Sequence, residues 1–334
     1  MNNIDRPTKT CLNSLTWNQN YTCFTVATDR GFMVYNVDPI DNGRYHSFNS
    51  GIKIACMLYR CNYVALVGTS DNVNNELNCY KVSMYDDNIK RFALELSFND
   101  VIIDIKLTRK CIIVVLEFKI KIFTLNLNPV LIKEISTCRN FRGVCDVQTH
   151  GKINMLASLS DIDTKLFITD LEEVNENPKE IVAHDHSISF VTLNNTCSFI
   201  ATSSIIGTII RIFCIEDGSL IYEFRRGNKK ATIFAINFSP NSEYLCLCSN
   251  RNTIHIFHLK ESNLLRKSAK LKYPKSFTKI KMLTDLSFMG AVGTPSVDGN
   301  LPVTVLSMDG FYHRYNIKLS SCIVTREAVR DILL

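Results

Sequence analysis

Short apolar runs rich in β-branched and aromatic residues, each bounded by Asn, Asp, Gly or Ser, recur from one end of this chain to the other, and helical periodicity is almost absent. Three segments, Asn18 to Asn36, Asn194 to Phe213 and Ser239 to Phe257, share one plan. A polar turn (Asn18-Gln19-Asn20, Asn194-Asn195 or Ser239-Pro240-Asn241) leads into an apolar strand at Cys23 to Ala27, Phe199 to Thr202 or Tyr244 to Cys248. A second turn leads into another strand at Phe32 to Tyr35, Thr208 to Phe213 or Thr253 to Phe257. Such a unit reads as the inner hairpin of a propeller blade.

Equivalent pairs occur at Ile52 to Tyr59 with Tyr63 to Val67, and at Val101 to Leu107 with Ile112 to Leu116 and Ile120 to Thr124. Others are Gly143 to Asp146 with Met155 to Ser158 and Leu166 to Thr169, and Val303 to Ser307 with Phe311 to Asn316. About seven units of roughly 48 residues result, inside the range of propeller repeats. The expected fold is all-β, a seven-bladed β-propeller, with residues 1–334 as a single domain whose ring closure leaves no open strand edges. The period excludes an α-solenoid, and a β-sandwich needs fewer strands. Two insertions interrupt the pattern. Ser70 to Asn78, polar and rich in Asn, reads as a solvated surface loop. In His258 to Phe277, by contrast, Lys260, Arg266, Lys267, Lys270, Lys272 and Lys275 interleave with Leu259, Leu264, Leu265, Leu271, Tyr273 and Phe277. That mixture suits an anionic membrane interface, although an outer strand with a solvated lysine face fits it equally well.

Hydrophobic residues at 46% allow a large core, and a formal charge of +6 permits a basic patch but not a chain-wide nucleic-acid surface. No nucleic-acid partner is expected. Met1 to Thr10 is polar and leads into no apolar signal region, and the most apolar run, Cys111 to Leu116, has only strand length. Any membrane contact is then peripheral. The 13 cysteines form no CxxC pair, and Cys56, Cys111, Cys197, Cys246 and Cys248 sit in apolar runs, so they read as reduced, buried thiols of a cytosolic protein. No Cys/His cluster has ligand spacing, and no Ser/His/Asp order or carboxylate pair stands in loop context. Neither metal, cofactor nor catalytic residue is expected, and the chain is read as a non-enzyme.

The sharpest local feature is Phe224-Arg225-Arg226-Gly227 at the end of the strand Ser219 to Phe224, followed by Asn228-Lys229-Lys230. Adjacent residues leaving a strand point to opposite sides, so the two arginines can serve two separate pockets. Their forked donors match phosphate oxygens. This motif stands directly after Gly207-Thr208-Ile209-Ile210-Arg211-Ile212-Phe213 and before Asn252-Thr253-Ile254-His255-Ile256-Phe257. Together with Gly31-Phe32-Met33-Val34-Tyr35-Asn36-Val37-Asp38-Pro39, Tyr63-Val64-Ala65-Leu66-Val67-Gly68 and Ile113-Val114-Val115-Leu116, it resembles the PROPPIN (WIPI-type) propellers, and the compact length resembles their shorter branch.

The resemblance implies a peripheral membrane effector that binds phosphatidylinositol 3-phosphate and phosphatidylinositol 3,5-bisphosphate at two pockets flanking the double arginine. Carried onto this chain, the first pocket takes Arg225 with His184, Ser204, Thr208 and Arg211, and the second takes Arg226 with Ser249, Thr253 and His255. Thr253 and His255, two apart, share one face of a strand, whereas Arg211, three beyond Thr208, falls on the face opposite to it. Ile205-Ile206 departs from the more polar residues usual there. The resemblance also implies a bilayer-inserting loop at Lys260 to Ser276, with Leu264, Leu265, Arg266, Lys267, Lys270, Lys272 and Tyr273 as its contacts. Implied partners are phosphoinositide-containing membranes and autophagy or trafficking proteins, with the chain a monomer on autophagic, endosomal or vacuolar membranes. The alternative is a WD40-like protein-interaction scaffold without lipid binding. Against it, the chain lacks a regular Trp-Asp repeat ending and has a single Trp, Trp17.

Overall fold

The computed structural model describes residues 10–41, 43–173, 176–259 and 275–333. Its strands make seven four-stranded sheets, each hydrogen-bonded in sequence order, the blades of a seven-bladed β-propeller. One compact unit runs to Ile102 and takes in the last residues from Asp331; the second is Ile103–Arg330. In the first unit, blade 1 comprises β1 (Leu12–Trp17), β2 (Cys23–Thr28), β3 (Gly31–Asn36) and β4 (Arg44–Ser47). Blade 2 comprises β5 (Ile52–Met57), β6 (Tyr63–Gly68), β7 (Lys81–Asp86) and β8 (Arg91–Ser97). The chain's end joins this unit, where the Ile332 carbonyl accepts from Tyr35 Oη at 2.9 Å.

The second unit opens with blade 3, made of β9 (Asp104–Leu107), β10 (Cys111–Val115), β11 (Lys119–Thr124) and β12 (Leu131–Ser136). Blade 4 is β13 (Cys145–His150), β14 (Ile153–Leu159), β15 (Lys165–Asp170) and β16 (Lys179–Val182). Blade 5 is β17 (Ile188–Leu193), β18 (Phe199–Ser204), β19 (Ile209–Cys214) and β20 (Leu220–Arg225). Blade 6 is β21 (Ile233–Phe238), β22 (Tyr244–Ser249), β23 (Thr253–His258) and β24 (Thr278–Lys281). Blade 7 is β25 (Phe288–Val292), β26 (Asn300–Ser307), β27 (Phe311–Lys318) and β28 (Ile323–Asp331).

Burial is lowest in the outer strand of each blade. All residues of β2, β10 and β22 are buried, as expected of a strand covered on both faces. Outer strands such as β4, β16 and β20 bury one face or less, so their sequences alternate or turn polar. The apolar runs in the sequence therefore coincide with the middle strands. They also fill the cores: Ile254, Ile256, Val303 and Val305 in one cluster, Ile200, Leu166 and Val191 in another. Cys56, Cys111, Cys197, Cys246 and Cys248 are free thiols and buried, as their apolar settings indicate.

The repeated polar turns share one geometry. Asn18 Oδ1 accepts from the backbone N–H groups of Thr22 and Cys23 at 2.9 and 3.0 Å, and Asn194 Oδ1 from those of Ser198 and Phe199 at 2.9 and 2.8 Å. Ser239 Oγ accepts from Tyr244 N at 2.9 Å. Three residues after each of these, Tyr21, Cys197 and Ser242 adopt left-handed backbone with φ of 58°, 55° and 57°. In blades 1, 5 and 6, one side chain thus closes the connection between the first two strands. It also ties blades together, since Asn18 Nδ2 donates to Tyr59 O at 3.1 Å and Asn194 Nδ2 to Ser242 Oγ at 3.0 Å.

Three expectations need adjustment. The strand expected from Val101 begins only at Asp104, and Gly143 stands in a loop at φ 66°, with β13 starting at Cys145. The Ser70–Asn78 insertion is not solvated throughout. Residues 71–76 are exposed, but Leu77 and Asn78 are buried, and Asn78 Nδ2 donates to the carbonyls of Val73 and Asn75, so the loop plugs its own base. Because Asn194 is fully buried and satisfies two backbone donors and a neighbouring blade, Asn194→Ala should cost about 1–3 kcal/mol. The check is a lower urea midpoint than that of the unaltered chain.

Candidate functional site

Blades 5 and 6 carry the candidate residues. The β18–β19 turn is set by Gly207, at φ +62°, where an added Cβ would stand 2.1 Å from the Ala231 carbonyl oxygen. Only glycine permits that approach. Gly207 N donates to Ser204 O, Ala231 N donates to Ile206 O, and Arg226 N donates to Thr208 O at 2.9 Å. The turn and the segment after β20 are therefore stitched together, with the arginine pair at the seam.

The two arginines leave β20 into different surroundings. Arg225 pairs with Ile209 across β19 and β20, is half-buried, and donates from Nε to Asn228 Oδ1 at 2.9 Å. Arg226 is buried. Its Nε donates to Gly207 O at 2.6 Å and its Nη2 to Lys229 O. Burial, and then the nearby Arg251 charge, lower its pKa from the usual guanidinium value. Among the described residues, carbonyl dipoles hold this cation, with no carboxylate among its hydrogen-bond partners. That leaves its charge uncompensated, a setting that favours an incoming anion.

Among the first group of predicted residues, His184 and Arg211 come together. His184, buried, shares a 3.0 Å hydrogen bond between Nε2 and Thr202 Oγ1, and Thr202 is the strand partner of Arg211. Burial, reinforced by the Arg211 charge, pushes the His184 pKa down to about 4. Arg211 itself is engaged: Nε donates to Glu223 Oε2 at 2.6 Å and Nη1 to Ala183 O at 2.9 Å. Its charge is thus answered within the protein. Ser204 and Thr208 flank the Gly207 turn, and Thr208 is joined through its carbonyl to Arg226.

The second group converges on β22 and β23. Ser249 and Thr253 are directly opposite each other in the β22–β23 register, and His255 follows on the Thr253 face. Thr253 Oγ1 donates to Arg251 O at 2.9 Å, and His255 Nδ1 meets Ser276 Oγ at 3.2 Å. The His255 pKa is pushed down to about 4 by burial first, then by the positive charges of Lys279 and Arg226. Ser249 Oγ is buried and has no hydrogen-bond partner among the described residues. A buried hydroxyl in that state costs about 1–3 kcal/mol unless something completes it.

Glu223, Asn228, Arg251, Ser276 and Lys279 also belong to the site, and sequence reading missed them. Two were accessible through register: Glu223 lies opposite Arg211, and Lys279 opposite His255. The strand that carries Glu223 reads as Ser219 to Phe224 in the sequence, but β24, which carries Lys279, is too short and polar to be recognised as a strand on its own. The proposed membrane-loop residues Leu264, Leu265, Arg266, Lys267, Lys270, Lys272 and Tyr273 lie outside the described residues.

The sequence profile of the PROPPIN family matches residues 11–286. SVP1-like protein 2 of Saccharomyces cerevisiae is 34% identical over 284 residues, covering 75% of this chain and 63% of that protein. Autophagy-related protein 18e of Arabidopsis thaliana is 35% identical over 249 residues, covering 74% of this chain and 66% of that protein. The chain thus spans about two thirds of the length of these relatives. Among solved structures, Kluyveromyces lactis Hsv2 with a complete loop 6CD superposes with a TM-score of 0.79 at 21% identity, over 97% of this chain and 99% of that one. KlAtg21, solved in complex with the coiled-coil of AgAtg16, gives 0.75 at 23% identity, over 96% and 99% of the two chains. Fold, arginine motif and sequence identity agree that the chain belongs to the PROPPIN family of non-enzymatic β-propeller proteins.

Proposed function

We propose that the chain is a peripheral membrane effector that recognises phosphatidylinositol 3-phosphate and phosphatidylinositol 3,5-bisphosphate through blades 5 and 6. In this role it recruits autophagy or trafficking proteins to autophagic, endosomal or vacuolar membranes. Arg225 with His184, Ser204, Thr208 and Arg211 forms one headgroup pocket; Arg226 with Ser249, Thr253 and His255 forms the other. The carrying observation is the buried Arg226 guanidinium, held among the described residues by carbonyl oxygens at the seam between the Gly207 turn and the segment after β20. A phosphate there gains charge-assisted hydrogen bonds in a partly desolvated setting. His184 and His255, neutral at physiological pH, add hydrogen-bonding capacity without further cationic repulsion. Membership of a family that includes Autophagy-related protein 18 of Dictyostelium discoideum, 31% identical over 252 residues, supports the autophagic setting.

A protein-scaffold reading without lipid binding has one observation in its favour. Phe118 and Phe141 are exposed at one edge of blade 3, with the Arg142 guanidinium 5.4 Å from the Phe141 ring. Exposed aromatic and arginine residues are typical anchors of protein interfaces. Sedimentation with liposomes that carry or lack 3-phosphorylated lipid separates the two readings.

Each arginine is expected to contribute roughly 1.5–3 kcal/mol through charge-assisted bonds, so each alanine substitution should weaken liposome binding by about tenfold or more. Arg225→Ala is the cleaner variant, because its Asn228 partner is exposed. Arg226→Ala also releases the Gly207 and Lys229 carbonyls, and Arg226→Lys tests the fork geometry more gently. Titration with soluble headgroup should give about two sites in the unaltered chain and one in each single variant. Unchanged binding by a folded Arg225→Ala/Arg226→Lys variant would discard the lipid reading.

The imidazoles supply a pH signature. Their folded-state values near 4 lie below the ordinary histidine value, so the unfolded chain binds more protons as pH falls. The stability they contribute is complete above about pH 6.5 and is lost as pH falls toward about 4. A bound phosphate favours the imidazolium and opposes this loss. Thermal unfolding should show the midpoint dropping between about pH 7 and pH 5, with a smaller drop when soluble headgroup is present or in His184→Gln/His255→Gln.

A further inference from the structure

The connection from β24 to β25 holds two leucines out of the fold. Leu283 is 90% exposed and Leu286 51%. Their backbone is not free to fold them back. Met282, next to Leu283, is buried; its N–H donates to Asn252 O at 2.8 Å and its sulfur accepts from Tyr315 Oη at 3.6 Å. Thr284, on the other side, is also buried, and its Oγ1 accepts from Leu286 N at 3.2 Å. Asp285 Oδ1 accepts from Asn252 Nδ2 at 3.2 Å, which ties the acidic side chain to the neighbouring turn. Anchoring on both sides thus presents Leu283 to solvent.

The neighbouring turn is basic and leads directly to the arginine pair. Asn252 follows Arg251, whose Nη2 donates to Lys230 O at 2.8 Å. Asn250 and Thr232 exchange hydrogen bonds, with Asn250 N donating to Thr232 O and Thr232 N to Asn250 Oδ1, both at 3.0 Å. A continuous hydrogen-bonded edge therefore joins the segment Arg226 to Thr232, the turn Asn250 to Asn252 and the connection Met282 to Ser287. Lys229, Lys230 and Arg251 are all exposed along it.

We propose that Leu283 and Leu286 form a preformed membrane-contact element that enters the interfacial zone of an anionic bilayer, while Lys229, Lys230 and Arg251 meet the surrounding lipid phosphates. The inference rests on the lipid reading above and concerns residues distinct from the 260–276 segment. Side-chain chemistry selects lipid over protein as the occupant. Lysine is depleted from protein interfaces and leucine from their energetic hot spots, whereas exposed aliphatic side chains beside lysine and arginine are the signature of interfacial membrane binding. Because the element is already ordered, insertion carries little of the ordering cost of a disordered loop.

Two measurements test it, using vesicles of phosphatidylcholine and phosphatidylserine with phosphatidylinositol 3-phosphate. Leu283→Ser/Leu286→Ser should weaken vesicle binding by roughly tenfold per leucine buried, leaving soluble headgroup affinity unchanged. In a Trp17→Phe background, Leu283→Trp should give an indole whose emission shifts to the blue on vesicles and is quenched by brominated acyl chains. If the unaltered chain binds these vesicles while the double serine variant matches it and the indole stays unquenched, the second contact is overturned and the lipid reading stands. If the unaltered chain fails to bind them, the lipid reading falls and this inference with it. Equal loss of vesicle and soluble headgroup binding in the serine variant would also overturn it, since the leucines would then be shaping a pocket.

Discussion

Burial of both faces of the middle strands is the constraint on which the rest of this structure depends. A strand packed on both sides has no water for its backbone, so every N–H and C=O must be paired within the blade. Its side chains must be apolar or individually satisfied. β22 shows the balance: Leu245, Leu247, Cys246 and Cys248 each gain by burial, on the order of 1.5–3 kcal/mol for a leucine, and can absorb the cost of an unpartnered Ser249 hydroxyl of similar size. A polar group is tolerated there only because the surrounding apolar burial exceeds its cost. Ser249, Thr202 and His255 stand out for that reason, as polar groups inside an otherwise apolar setting.

The same competition shapes the electrostatics around the arginines. Desolvation is the leading cause of the lowered pKa values of His184, His255 and Arg226, with neighbouring cations second. Carboxylates are placed selectively. Glu223 neutralises Arg211 in the wall beside His184, whereas the hydrogen bonds of Arg226 go to carbonyl oxygens. Among the described residues, this buried cation is thus answered by carbonyl dipoles, one of them supplied by the tightly tied Gly207 turn. Lys229, Lys230 and Arg251, exposed on the adjoining turns, extend positive charge outward from that point.

Much of the architecture was legible in the chain itself. Asn18, Asn194 and Ser239 announce the same closed turn, with left-handed residues at the same offset, because a short polar side chain is the local way to satisfy the backbone donors at a strand start. Apolar runs such as Cys111 to Val115 and Tyr244 to Cys248 reveal middle strands, since two-sided burial writes itself into every position. The outer strands were less legible: β20 reads as Ser219 to Phe224 in the sequence, but β16 and β24 do not stand out as strands there. β16, β20 and β24 face solvent on one side, and their pairing is decided by the strand next to them.

The sequence by itself therefore determined the blade as a repeating unit, the burial of the thiols set in apolar runs and the presence of a double arginine at the end of a strand. Only the tertiary structure decided what those arginines meet. Arg225 and Arg226 are neighbours in the chain, but one finds Asn228 at the surface and the other finds Gly207 and Lys229 carbonyls in the interior. Likewise, Leu283 and Leu286 read as unremarkable residues of a connection until Met282 and Thr284 are seen to anchor the backbone that presents them. The physical reason is common to both. Period and turn chemistry are local and survive in the sequence, whereas burial and charge are set by residues that folding brings together from distant parts of the chain.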